Sequence, residues 1–160
     1  MNFNSLADFA LHFAVIHSEQ ERAIADGLET VALKIETTAK AELGQYQSSV
    51  GPFPGWDNLA DSTEQQKVAN GYPLDAPLLA SGEMRDSITH EVSGMEAVIG
   101  STDQKMVFHE FGTAKMPPRP VLGTAVVHNG EFIKKIIGKA VVNGLVGGAR
   151  IHPSLGYDDL

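Results

Sequence analysis

The chain has 160 residues, of which 42% are apolar and 20% charged, a composition that fits a single globular domain with one core. Twelve basic against twenty acidic residues leave a formal charge of −8, which argues against wrapping nucleic acid through clustered Lys and Arg. With no cysteine there are no disulfides or thiolate metal ligands, and no apolar run approaches the roughly 18 residues of a membrane span.

From the N-terminus, the stretch MNFNSLADF lacks the basic region of a signal peptide, so export is not expected. Leu6, Phe9, Phe13 and Ile16 recur at helical spacing and predict an amphipathic helix over 5–16, capped by Asn4 or Ser5. Ser18 and Glu21 have capping-box spacing and predict the start of a second helix. Its buried face is Ile24, Leu28, Val31, Ile35 and Ala39, and it runs to Gly44. Continuation of the two as one bent helix is the alternative. Gly27 weakens this segment by roughly 1 kcal/mol against alanine.

Residues 45–80 hold Pro52, Pro54, Pro73 and Pro77 with Gly51, Gly55 and Gly71, and read as a long, mostly irregular loop of the kind that is functional or disordered. Trp56 either pins this loop to its own core or contacts a neighbouring subunit. One or two helical turns are expected within 62–70. Ile88, His90 and Val92 alternate with polar residues, Ser93 and Gly94 turn the chain, and 96–100 return, which predicts a β-hairpin.

Val107, Phe108 and Phe111 form a short apolar patch before the stretch FGTAKMPPRP at 111–120. Three prolines within four positions hold φ near −65° and cannot donate hydrogen bonds, so 116–120 is expected to be a stiff strap, shaped for docking before anything meets it. Phe111 is expected to anchor the strap in the core. Arg119 has two readings, an internal brace that covers apolar surface with its stem or a contact with another subunit. Beyond Pro120, apolar residues from Leu122 through Phe132, Ile136 and Ala140 keep helical spacing, with a kink at Asn129 and Gly130, and 147–160 is expected to be a flexible tail.

Motifs for chemistry are incomplete. His109 and Glu110 begin a zinc-protease HExxH pattern, but its last position is Thr113, and none of the six histidines pairs with another at i,i+4. Ser81 before Gly82 lacks the nucleophile elbow, and Gly147 with Gly148 lacks a phosphate-loop lysine. Asp57 with Asp61, and Asp158 with Asp159, read as solvated surface, and Lys134, Lys135 and Lys139 as surface charge on a helix. The sequence therefore predicts a non-enzymatic chain without metal or cofactor.

The fold class predicted is α+β, with long N-terminal and C-terminal helices packed on a small antiparallel sheet, a long projecting loop at 45–80, and one domain over 1–146.

Two motifs also resemble those of a known family. Leu79, Ser81, Gly82, Met84, Arg85, Ser87 and Ile88 fill an LLxTGxLRxSI-like pattern. Glu110, Phe111, Gly112, Thr113, Met116, Pro117, Arg119 and Pro120 fill an EFGTxxMPxRPFL-like strap before a long helix. Trp56, Leu59 and Thr63 add a W-x-x-L-x-x-x-T stretch upstream. In this order and spacing the chain is similar to the siphophage tail-completion, or tail-component, family from Trp56 to the last helix. Ser81 stands where Thr is more usual, and Val121 replaces the usual Phe.

The resemblance implies a virion protein of the neck, made in the bacterial cytoplasm, six copies of which form a ring between the head connector or stopper and the tail terminator or tail tube. DNA would pass through such a ring without specific binding. The runner-up role is a minor tail or tail-terminator protein of the same particle. Subunit or partner contacts are then expected at Trp56, Phe111, Gly112, Thr113, Met116, Pro117, Pro118, Arg119 and Pro120.

Overall fold

In the computed structural model, which describes residues 5–145, one uninterrupted helix α1 spans Leu6–Glu42. Ser5 caps it, its Oγ accepting the Asp8 N–H at 3.1 Å. The two expected helices are one because no Gly or Pro interrupts 15–20, and because Ser18 turns its hydroxyl back onto the Val15 carbonyl instead of capping a new start. At 1.5 Å per residue the 37-residue helix is about 55 Å long.

The remaining elements are α2 (Asp61–Asn70), α3 (Glu83–Asp86), β1 (Ile88–Ser93), β2 (Glu96–Ser101), α4 (Lys105–Phe111), α5 (Leu122–His128) and α6 (Gly130–Leu145). The sheet is the antiparallel hairpin β1–β2, so the fold is α+β with a long N-terminal helix and a small sheet. The expected C-terminal helix is two helices parted at Asn129, a buried residue whose side-chain amide donates to Thr38 Oγ1 at 2.9 Å and to the Ala125 carbonyl at 2.8 Å. The apolar patch expected after the hairpin is helical, as α4. Among the described residues no helix is long and apolar enough to cross a membrane.

By packing, the chain divides into two compact units. The first takes the described parts of 1–31 and 131–160, with 92–97 at the hairpin turn. Within it α1 and α6 approach closely at small residues. A Cβ on Gly27 would stand 2.9 Å from the Ala140 Cβ, and one on Gly144 would stand 2.5 Å from the Gln20 Cα. Gly27 therefore exchanges helix propensity for close packing, which the sequence pattern alone does not reveal.

The second unit comprises 32–91 and 98–130. Ala32, Ile35 and Ala39 of α1 are buried here, as are Leu43 just beyond it, Trp56, Ile88, Met106, Val121 and Ala125. Much of the 45–80 stretch is stitched to this core. Val50 and Phe53 form an isolated bridge, the Trp56 N–H donates to Gln47 O, the Leu59 N–H donates to Tyr46 Oη, and the Gly44 N–H donates to Pro77 O. Its exposed large apolar side chains are Val68, Tyr72 and Leu74. The tail at 147–160 lies outside the described residues.

Candidate functional site

The strap at 111–120 begins where α4 stops. Gly112 has φ 73° and ψ 179°, a conformation open essentially to glycine alone, and a Cβ there would stand 2.9 Å from the Pro118 nitrogen. Gly82, at the start of α3, has φ 91°, so both motif glycines occupy positive φ. Thr113 and Met116 pair as an antiparallel bridge that closes a turn. The Arg119 N–H then returns to the His109 carbonyl at 2.7 Å, tying the end of the strap to α4.

Glu110 makes the next joint. Its Oε2 accepts the Val121 and Leu122 N–H groups at 2.7 and 3.0 Å, and its Oε1 accepts the Gly123 N–H at 2.8 Å. These are N–H groups that a helix start leaves without partners, and α5 has no side-chain cap of its own. A carboxylate eleven to thirteen residues upstream thus does what a local Ser or Asp would do.

Phe111 departs from the role expected of it, and Arg119 takes one of its two. Phe111 is 78% exposed, so it does not anchor the strap in the core. Helix α4 is short, and its inward positions are taken by buried Met106 and part-buried His109 and Glu110, which turns Phe111 out beside exposed Val107 and Phe108. Arg119 is the internal brace of its two readings: it is 7% exposed, and its Nη2 donates to the carbonyls of Asp57 and Asn58 at 2.9 and 3.2 Å. Trp56 is 6% exposed and donates its indole N–H to the Pro120 carbonyl at 3.2 Å, so it pins the loop to its own chain. Pro120 is buried, Gly112 and Met116 are part-buried, and Thr113, Pro117 and Pro118 are exposed. Of the nine residues expected at an interface, the exposed side chains are therefore Phe111, Thr113, Pro117 and Pro118.

A cleft of about 270 Å³ lies beside the strap, walled by Asn58, Leu59, Lys67, His109, Met116 and Arg119 among others. Lys67 is buried on α2, and its ammonium donates to the carbonyls of Pro73, Ala76 and Leu79 at 2.8, 2.7 and 2.6 Å, which uses all three of its hydrogens. The His109 Nδ1 and the Arg119 Nε are buried without a hydrogen-bond partner among the described residues. Burial, and then the Arg119 charge, hold the His109 pKa below its ordinary value of 6.5.

Two further polar sites lie on α1, of which the Glu36–Lys40 pair at i,i+4 was legible in the sequence and the partners from other segments were not. Glu42, buried near the end of α1, accepts the Thr124 hydroxyl at 2.6 Å and pairs with His128 Nδ1 at 2.9 Å. Burial raises its pKa above 4.5, with those two hydrogen bonds opposing the shift. Glu36 bonds Lys40 and His90, and these bonds, that of Lys40 foremost, lower its pKa. Among the described residues no group of three or more His, Asp or Glu is placed to hold a metal ion.

No protein-family model matches the chain, and no solved structure matches it. One curated protein similar to it is the alanine–tRNA ligase of Lysinibacillus sphaericus (strain C3-41), 23% identical over 122 residues. The match covers 74% of this chain and 13% of the ligase. So slight and partial a likeness does not place the chain in a family.

Proposed function

We propose that this chain is a non-enzymatic assembly protein of a siphophage particle, the neck component that joins a filled head to a finished tail as a ring of six copies. The observation that supports this reading is the identity of the joints. The residues that carry the family resemblance are largely those that fix the backbone around the strap: Gly82 and Gly112 at positive φ, Glu110 capping α5, Arg119 and Trp56 tying the strap and the loop together. Such residues hold a stiff edge of Thr113, Pro117 and Pro118 outward, and pre-organisation of this kind lowers the ordering cost of docking. Large apolar side chains left in solvent at Phe111, Phe9 and Phe13 add surface of the kind that partners cover.

A nonsense mutant of the gene tests this directly. Electron microscopy of its lysate is expected to show filled heads and tails of normal length, unjoined. Tails of uncontrolled length would favour the tail-terminator role, and normal infectious particles would overturn both assignments.

A further inference from the structure

The two buried cations in the wall of the strap cleft are compensated very differently. Lys67 is saturated by three carbonyls. Arg119 has two carbonyl acceptors on Nη2, an unpartnered Nε, and no carboxylate pairing with it among the described residues. A guanidinium out of water with only neutral acceptors is incompletely compensated, because its planar fork matches a carboxylate and charge-assisted bonds are the strong ones. The cleft carries no Asp or Glu in its lining, although the chain as a whole is acidic, and Lys115 adds a further cation at its edge.

Much of the rest of the lining is apolar, with Asn58, Thr63 and His109 as its polar members. Leu59, Leu78, Met116 and Pro117 stand beside these cations, and the volume of about 270 Å³ is several times the roughly 30 Å³ share of a water molecule. A small inorganic anion would leave that apolar wall uncovered. A side-chain carboxylate carried on a peptide with a neighbouring apolar residue would satisfy both halves of the lining.

We propose that this cleft is a docking site for a short acidic and apolar segment of a partner protein, with a carboxylate completing Arg119 and Lys115 and an apolar side chain against Met116 and Leu59. Charge complementarity selects that occupant, and the proline-stiffened strap supplies a wall that needs little ordering on binding. The inference stands on the cleft and does not depend on the neck assignment.

Titration of the full chain with a blocked tetrapeptide of alternating leucine and glutamate, followed by amide NMR, tests it. Signals from 115–119 are expected to shift. The same peptide with glutamine is expected to bind at least tenfold more weakly, as is the glutamate peptide to Lys115→Glu, a change at an exposed position that leaves the folded spectrum intact. Absence of shifts at millimolar peptide, equal binding of the glutamine peptide, or equal binding of inorganic phosphate would each overturn the proposal.

Discussion

Along α1, Ile35 and Ala39 lie in the core of the second unit, Ile35 at 4% exposure, whereas Phe13, in the same helix and in the same kind of apolar stripe, is 56% exposed. Leu6, Phe9, Leu11 and Val15 are exposed with it, and the rings of Phe9 and Phe13 pack with centroids 4.8 Å apart. The difference lies in what surrounds each half. Around 32–43 the returning segments 45–60 and 120–129 supply partners such as Trp56, Val121 and Ala125. Around 6–15 no such cover is supplied by the described residues. A helical stripe in a sequence thus states that something is to be buried, without stating by what.

The largest expected effect separates those two halves. Ile35→Ala should lower the unfolding free energy by about 2–5 kcal/mol, the cost of deleting buried methylenes and leaving a cavity. Phe13→Ala should change it by less than about 0.5 kcal/mol, the range of an exposed substitution. Urea denaturation followed by circular dichroism measures both. Comparable losses from the two variants would mean that Phe13 is covered in solution, and the contrast would fail.

A smaller contrast sits in two neighbouring residues. Glu110→Ala removes one carboxylate from three N–H groups at the start of α5 and is expected to cost about 1.5–3 kcal/mol. Phe111→Ala is expected to stay within about 0.5 kcal/mol, because the ring is already in water. Melting curves of the two purified variants decide the matter. A larger loss from Phe111→Ala would restore it as a core anchor.

The smallest expected effect is a slope in stability with pH, and it separates two carboxylates of α1. Glu42 has a raised folded pKa, so between 4.5 and that value the native state holds more protons than the unfolded chain. Its contribution to stability is therefore fully present below 4.5 and falls as pH rises through the folded pKa. Glu36 has a lowered folded pKa, and its contribution is present above 4.5 and fades as pH drops through the folded value. Unfolding midpoints measured across mildly acidic pH should show Glu42→Gln flattening the upper window and Glu36→Gln the lower one. If Glu42→Gln left the upper slope unchanged, the burial assigned to its carboxylate would be wrong.

Local signals were read well where one element carried them. The alternation of Ile88, His90 and Val92 with a Ser93–Gly94 turn is the hairpin. The kink at Asn129 was legible because Asn followed by Gly is poor helix material. The signal for the Glu110 cap was also present, though indirect: no Ser, Thr, Asp or Asn precedes α5 at its start, so a cap had to come from elsewhere. Nothing local marks Lys67, a lysine in a polar helix whose three acceptors come from residues six to twelve positions away.

By itself the sequence determined the α+β class, the hairpin and the stiffness of the strap, because each follows from side-chain periodicity or backbone sterics within a few residues. Tertiary structure alone decided that Arg119 and Trp56 turn inward while Phe111 turns out, that Gly27 permits a close helix contact, and that Glu42 is buried with Thr124 and His128. The direction of a side chain and the partners of a buried charge depend on segments sixty or more positions apart, such as Asp57 with Arg119, and a local pattern carries no record of which segment will arrive.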